Sequence, residues 1–223
     1  MSEMGRFQVA IVDYGMGNLF NVKRACEHVG LSAQITSLPA DVLAAEAVIL
    51  PGVGAFGDAM KALREQGLDS ALKEFANSAK PLIGICLGMQ LFMDESFEFG
   101  RHIGLEIISG KVVPFEKPMS GNEILKVPQV CWNGMFRIKS KEDDTWGNSL
   151  MAGLPDGVCM YFVHSYYVVP DDPAVVVATT EYGDIRFCSA LQAGNIFACQ
   201  GHPERSGEDG LQIYRNLEIL LEK

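Results

Sequence analysis

The chain has 223 residues, of which 48% are hydrophobic and 21% are charged, and this composition excludes a disordered or fibrous protein. Eighteen Lys and Arg residues against 28 Asp and Glu residues give a formal charge of −10, which argues against nucleic acid or an anionic membrane as the main partner. Because no apolar run approaches the roughly 18 residues of a membrane-spanning helix and no export signal is evident, we expect a cytoplasmic protein with a single domain over residues 1–223.

Short apolar runs alternate with helical patterns in the first part of the chain. Strands are predicted at residues 7–12, 32–36, 47–50 and 81–85. Helices are predicted over residues 19–29 and over residues 57–76, the second with a break near Gly67. Strands that are apolar on both faces and alternate with helices indicate a parallel sheet covered by helices.

The pattern changes after Cys86. A helical stretch over residues 88–94 is followed by strands and turns from about residue 105 to residue 199, which favours an antiparallel or mixed sheet. A final helix is predicted over residues 208–221 and is expected to close the domain. Its apolar face is predicted to consist of Leu211, Tyr214, Leu217, Leu220 and Leu221.

One cysteine stands between two glycines where a buried strand is predicted to pass into a helix. The segment Gly84–Gly88 reads G-I-C-L-G, the thiol counterpart of the nucleophile elbow. Backbone N–H groups at the start of that helix favour the thiolate form of Cys86 and can stabilise an oxyanion. A buried cysteine at a tight turn is the alternative interpretation. The other cysteines form no C-x-x-C pair, and the sequence gives no basis for a metal site or an organic cofactor.

A thiolate nucleophile needs a base, and the chain contains four histidines. His202 is the best candidate, because it opens a His-Pro-Glu segment in which Glu204 can orient the imidazole as the third member of a triad. His164, in an aromatic strand, is the alternative base, and a hydrogen-bonded structural histidine is an equally good interpretation of it. His28 and His102 are expected to be structural or surface residues.

The motif PGVG at residues 51–54 ends a strand of the predicted parallel sheet. Ligands gather at the carboxyl ends of such strands, so this loop can offer backbone N–H or C=O groups beside Cys86. A plain turn is the alternative interpretation of the motif.

Taken in order, the motifs PGVG (residues 51–54), GICLGMQ (residues 84–90) and HPE (residues 202–204) resemble the class I, triad-type glutamine amidotransferases. Further segments narrow the resemblance to the HisH-like branch, the glutaminase subunits of imidazole glycerol phosphate synthase. These segments are DYGMGNL at 13–19, PGVGAF at 51–56, WN at 132–133 and YFVHSYY at 161–167. The resemblance covers essentially the whole chain. It implies a three-layer, flavodoxin-like α/β fold with a mostly parallel central sheet and an antiparallel extension.

The resemblance also implies roles for individual residues. Cys86 would attack the side-chain amide of glutamine to form a thioester, His202 would carry protons, and Glu204 would hold His202. The implied oxyanion hole consists of Gly52, Val53 and Leu87, with a loop peptide that turns inward before catalysis. The residues implied to bind glutamine are Gly54, Gln90, Ser165 and Tyr166.

A partner is implied by the same resemblance. In this family, ammonia passes through a tunnel into a separate (β/α)8 cyclase subunit, HisF-like, which forms a heterodimer with the glutaminase and works in histidine biosynthesis. The glutaminase on its own is then expected to be nearly inactive. The positions that match the interface or the ammonia gate are Asn18, Asn21, Lys126, Gln129, Trp132 and Asn133.

Three positions depart from the family pattern. The family usually has Gln-Phe-His-Pro-Glu where this chain has Gly201 before the histidine, and Pro-His-x-Gly-Trp-Asn where it has Gln129 and Cys131. These departures leave open a divergent paralogue that supplies ammonia, with a cyclase-like partner, for amidation of a cell-surface sugar. Outside the class, the alternatives are a cysteine hydrolase or peptidase and a non-catalytic regulator on the same fold.

Overall fold

The computed structural model describes residues 8–138 and 146–222. The helices are α1 (Leu19–His28), α2 (Pro39–Ala44), α3 (Phe56–Glu65), α4 (Leu68–Ala76), α5 (Leu87–Leu91) and α6 (Gly207–Leu221), with short 3-10 helices at Pro173–Val175 and Pro203–Arg205. Within these two ranges, the structure contains no helix that is both long and apolar enough to span a membrane.

The first nine strands in the chain are β1 (Val9–Val12), β2 (Ala33–Thr36), β3 (Ala47–Gly52), β4 (Leu82–Cys86), β5 (Glu95–Ser96), β6 (His102–Ile103), β7 (Gly110–Pro114), β8 (Met119–Ser120) and β9 (Glu123–Ile124). The later strands are β10 (Gln129–Arg137), β11 (Val158–His164), β12 (Tyr166–Pro170), β13 (Val176–Tyr182), β14 (Ile185–Ala193) and β15 (Ile196–Cys199). Phe7, where the first strand was expected to begin, lies outside the described residues.

Five neighbouring strands form the parallel part of the sheet, in the order β2–β1–β3–β4–β15. Every residue of β1, β3, β4 and β15 is buried, as expected for strands with helices on both faces. β3 continues two residues beyond the predicted strand, to Gly52, and so carries the first half of the PGVG motif into the sheet. The predicted parallel sheet is confirmed.

The sheet continues beyond β15 as an antiparallel extension. β14 pairs antiparallel with β15, and β12 pairs antiparallel with both β14 and β7. The hairpin β10–β11 joins the sheet through the pairing of β10 with β13. The structure therefore agrees with the mixed second half predicted from the sequence, except that β15 belongs to the parallel part.

Two hydrophobic clusters cover the two faces of the parallel sheet. Alternate side chains of β1 divide between them: Val9 and Ile11 face α1 and α6, whereas Ala10 and Val12 face α2, α3 and α4. This alternation produces helix, sheet and helix layers, in agreement with the predicted three-layer α/β fold.

Three predicted details need correction. Leu220 was expected on the buried face of α6 but is 45% exposed, whereas Ile213 is buried beside Tyr214 and Leu217. α5 begins one residue earlier than predicted and ends at Leu91, three residues short. α2 was not predicted, because six residues are too few to show a helical period.

Gly67 separates α3 from α4, as the sequence predicted. Its φ of 68° is left-handed, and a Cβ added to it would lie 3.9 Å from the nearest atom, Cγ of Pro39. Since there is room for a side chain, the requirement for glycine comes from the backbone conformation alone.

We predict that Gly67→Ala lowers the free energy of unfolding by about 1–2 kcal/mol, the cost of a left-handed L-residue. Gln66→Ala is the matched control, because Gln66 is exposed and has a right-handed backbone with φ of −98°. Chemical denaturation measures both variants. Equal stability of Gly67→Ala and the parent chain would show that this helix break does not require glycine.

Candidate active site

Cys86 is the last residue of β4 and has a φ of 55°, a left-handed conformation that is unusual outside glycine. The chain turns sharply there, because α5 begins at the next residue. A Cβ added to Gly88 would lie 1.7 Å from the carbonyl oxygen of Leu50, so glycine is needed for α5 to approach β3. These features agree with the predicted nucleophile elbow. Since α5 has only five residues, any helical contribution at Cys86 comes from the unpaired N–H groups of its first turn rather than from a long helix dipole.

His202 and Glu204 follow β15 in the loop that contains the second 3-10 helix. Because β15 pairs in parallel with β4, with Cys199 opposite Ile85, this loop emerges beside Cys86. Nδ1 of His202 donates to Oε1 of Glu204 over 2.8 Å, and the two side chains are 4% and 1% exposed. Nε2 of His202 is buried and has no conventional hydrogen-bond partner among the described residues. The arrangement leaves Nε2 available for proton transfer.

The charge state of His202 depends on its neighbours. Burial alone would lower the pKa of His202, but Cys86 and then Glu204 outweigh burial and raise the pKa from 6.5 to about 10. The neighbouring sulfur and the Glu204 carboxylate therefore favour the protonated form of the ring. Because the folded value is the higher one, the stabilisation by His202 is complete below about pH 6.5 and is lost as the pH rises through about 10.

His164, the alternative base, has the features of a structural histidine. Its Nδ1 donates to the carbonyl oxygen of Tyr166 over 2.8 Å, and its ring packs 5.2 Å from the rings of Phe115 and Phe187. Burial lowers the pKa of His164 to about 4, although the hydrogen bond to Tyr166 opposes this shift. The His164 ring is neutral at physiological pH, and its hydrogen bond to Tyr166 anchors the start of β12.

A cavity of about 260 Å³ opens in front of Cys86. Of the residues implied by the resemblance, those that line it are Val53, Gly54, Leu87, Gln90, Ser165 and Tyr166. Gly52 does not line the cavity but lies directly opposite Cys86 in the register of β3 and β4. The structure thus brings the predicted catalytic and glutamine-binding residues to one edge of the sheet.

Glu98 also lines this cavity and was missed by the sequence analysis. It provides the single carboxylate among the lining residues, so it can bind the ammonium group of an amino acid. Its side chain also accepts a hydrogen bond from the backbone N–H of Phe56 at the start of α3. Glu98 lies between short strands in a segment without periodicity, so no signal in the sequence singles it out.

The three departures from the family pattern have local explanations. A Cβ at Gly201 would lie 3.0 Å from Cβ of Met160, so little room remains for an aromatic side chain. Gln129 is fully buried, and its Nε2 donates to Sγ of Cys131 over 3.6 Å. The two departures in the Pro128–Asn133 segment therefore contact each other, and Gln129 does not lie on the free surface.

The hairpin β10–β11 presents an apolar surface to solvent, which we call the hairpin face and define as Val130, Trp132 and Tyr161. Val130 and Trp132 are 54% and 57% exposed. The ring of Trp132 lies 6.1 Å from that of Tyr161, which lies 6.3 Å from the ring of His202. Aromatic contacts therefore connect the hairpin face to His202.

The other predicted interface positions are spread over two regions. Asn18 precedes α1, and Asn21 borders a shallow cavity that Glu204 also lines. Lys126 is exposed, and its carbonyl oxygen accepts a hydrogen bond from the hydroxyl of Tyr182. Asn133 is only partly exposed, and its side chain donates to the carbonyl oxygen of Glu181.

The remaining cysteines are all free thiols. Burial raises the pKa of Cys26 to about 12 and also raises that of Cys188 and Cys199, which makes these thiols unreactive. In the part of the chain that the structure describes, no three His, Cys, Asp or Glu side chains are grouped so as to hold a metal ion.

Comparison with known proteins identifies close relatives. The family model "Glutamine amidotransferase class-I" matches residues 10–219. The chain is 43% identical to "Imidazole glycerol phosphate synthase subunit HisH" of Chlorobaculum tepidum, covering 93% of this chain and 98% of that protein. It is 46% identical to the subunit of the same name from Syntrophotalea carbinolica, covering 93% and 98%. "Structure of PurLQS from Thermotoga maritima" has the same fold, with a TM-score of 0.71 at 19% identity and coverage of 97% and 100%.

We predict that Cys86→Ser lowers the pKa of His202 from about 10 by more than one unit, because serine removes the negative charge that raises it most. An NMR titration of the histidine rings measures this pKa. Cys159→Ser is the matched control, since Cys159 is exposed on β11, and it should leave the value unchanged. An unchanged pKa in Cys86→Ser would contradict an ion pair between Cys86 and His202.

Proposed function

Since the chain belongs to the class I glutamine amidotransferase family, we propose that it is the glutaminase subunit of an imidazole glycerol phosphate synthase. It hydrolyses glutamine and delivers the ammonia to a (β/α)8 cyclase subunit in histidine biosynthesis. The observation that carries the proposal is the buried His202–Glu204 pair beside Cys86, which itself lines a cavity of about 260 Å³.

The reaction begins with glutamine in this cavity. Glu98 binds the α-ammonium group, while Gln90, Gly54 and the Ser165–Tyr166 segment hold the remainder of the molecule. The Cys86 thiolate attacks the side-chain amide carbon, and the carbonyl electrons move to its oxygen. The backbone N–H of Leu87 stabilises this oxyanion. A peptide of the Gly52–Gly54 loop provides the second N–H group after it turns toward the cavity.

His202 then transfers its proton from Nε2 to the amide nitrogen. The C–N bond breaks, ammonia leaves, and a γ-glutamyl thioester remains on Cys86. Water, deprotonated by the now neutral His202, attacks the thioester and releases glutamate, which restores the thiolate and the protonated imidazole. Glu204 keeps the ring in the orientation and protonation state that both transfers need.

The partner is a HisF-like cyclase that forms a heterodimer with this chain. The exposed apolar side chains of the hairpin face, together with Asn18, Asn21 and Lys126, form the docking region that we propose. Gln129 pairs with His164, which lines the cavity, and Trp132 and Asn133 follow on the same strand. We propose that these three residues gate the ammonia path. The contact from Trp132 through Tyr161 to His202 provides a route by which docking can alter the triad.

Glutamate release from glutamine tests the proposal. We expect slow release by the chain alone and strong stimulation by the histidine-pathway cyclase with its nucleotide ligand bound. Lack of stimulation, with Cys86 still labelled by a glutamine-like electrophile, would contradict the pathway. That result would favour a different barrel partner and a sugar acceptor. Lack of both stimulation and labelling would contradict glutaminase activity.

We predict that Cys86→Ser reduces glutamine-dependent synthesis by about 10⁴-fold or more, since it removes the nucleophile. Synthesis from added ammonium salt should persist, because the cyclase site is unaffected. Glu204→Gln should reduce glutamine-dependent synthesis less, as an orienting residue contributes less than the nucleophile. Loss of the ammonia-dependent reaction in Cys86→Ser would show that Cys86 serves another role.

We predict that Trp132→Ala weakens binding of the cyclase about 30-fold. This factor corresponds to the ~2 kcal/mol of binding free energy that is lost when an aromatic residue at the centre of an interface is truncated. Leu220→Ala is the matched control, because Leu220 is a similarly exposed apolar residue at the far end of α6. Titration calorimetry measures both dissociation constants. Equal affinity in Trp132→Ala and the parent chain would place the docking region elsewhere.

A further inference from the structure

A second side chain besides His202 contacts the nucleophile. Gln200 is fully buried, immediately after β15, and its Nε2 lies 3.5 Å from Sγ of Cys86. Its Oε1 accepts a hydrogen bond of 3.0 Å from Nε2 of Gln90. Both the nitrogen and the oxygen of the Gln200 amide therefore have partners inside the protein.

The neighbouring groups determine which end of the Gln200 amide faces the sulfur. The carbonyl oxygen of Tyr166 can only accept a hydrogen bond, so the group of Gln90 that lies 3.0 Å from it must be the amide nitrogen. That nitrogen has a second proton, which it donates to Gln200. The oxygen of Gln200 therefore faces Gln90, and its N–H group must face Cys86.

An N–H group at this position distinguishes the two states of the sulfur. A thiolate accepts a charge-assisted hydrogen bond from Gln200, whereas a neutral thiol is a weak acceptor. The other close polar group, the carbonyl oxygen of Val163 at 4.0 Å, can only accept and so favours the thiol. Gln200 and Val163 thus act in opposite directions on the thiolate.

Of the other titratable groups near the sulfur, His202 favours the thiolate by its positive charge, and the rest do not favour it. These groups are Tyr14, Glu98, His164, Cys199, His202 and Glu204. Burial raises the pKa of both Tyr14 and Cys199, and His164 is neutral, so His202 supplies the positive charge. Gln200 adds a neutral donor whose direction is fixed by the protein.

We infer that Gln200 is a positioning residue that holds the Cys86 thiolate by an N–H hydrogen bond and connects it, through Gln90, to the glutamine cavity. The inference rests on the proposed function in that it takes Cys86 as the nucleophile. The chain of contacts runs from Tyr166 through Gln90 and Gln200 to Cys86. A ligand that displaces the Gln90 side chain therefore also releases the amide that faces the sulfur.

The pH profile of Cys86 alkylation tests this inference. Iodoacetamide reacts with the thiolate, and mass spectrometry of the peptide that contains Cys86 gives its rate in the full-length chain without glutamine. In Gln200→Met, which keeps the length but removes the donor, we expect the alkylation midpoint to rise by about one pH unit. At a pH below both midpoints, this shift is about a tenfold loss of thiolate.

Two further variants make the test specific. Gln200→Glu keeps the shape of the side chain but brings a negative charge to the sulfur, so its midpoint should rise further than that of Gln200→Met. Gln192→Met is the matched control, since Gln192 bonds to the carbonyl oxygen of Gly194, and its midpoint should match the parent chain. Exposed Cys159 serves as the internal reference for the reagent in every sample.

An unchanged midpoint in folded Gln200→Met would overturn the inference. If circular dichroism shows that this variant is unfolded, Gln200→Leu, another apolar side chain without a donor, decides in the same way. The outcome is independent of the proposed function, because the readout needs no turnover. A shifted midpoint in a chain that releases no glutamate even with the cyclase, and that is not labelled at Cys86 by a glutamine-like electrophile, would leave the inference standing and contradict glutaminase activity. Glutamate release without a shift would contradict the inference alone.

Discussion

The parallel pairing of β15 with β4 is the contact on which the site depends. It joins two strands more than a hundred residues apart in the chain and sets Cys199 opposite Ile85 at their carboxyl ends. The chain leaves β15 through Gln200, His202 and Glu204, while β4 ends at Cys86. One register therefore fixes Cys86, His202 and the amide that faces the sulfur, and a shift of one residue would point alternate side chains away from the site.

Because this register buries His202 and Glu204 together, the charge of the His202 ring depends on its neighbours. The side chains of His202 and Glu204 are almost wholly excluded from water, so the charged ring is favourable only while its neighbours Glu204 and Cys86 are in place. Leaving such a charge unpaired costs about 3–5 kcal/mol. The same groups that hold the ring in place therefore favour its protonated form. The ring of Tyr161 links Trp132 of the exposed hairpin face to His202, so the docking region that we propose lies close to this buried charge.

The sequence predicted the features that depend on local patterns. These include the buried strands, the break at Gly67, the cysteine elbow and the His-Pro-Glu segment. It did not reveal that β15 lies in the parallel part, because strand pairing at long range leaves no local pattern. Glu98 and Gln200 were missed for the same reason, since their importance arises from what they contact. Leu220 was misplaced because 3.6-residue periodicity cannot show where the core ends.

Formation of the covalent intermediate on Cys86 can be measured by acid-quenching the chain with its proposed cyclase partner during glutamine turnover, followed by peptide mass spectrometry. We expect a γ-glutamyl adduct on the peptide that contains Cys86 and on no other cysteine. Glutamate formation with no adduct, or with the adduct on a different residue, would rule out Cys86 as the nucleophile.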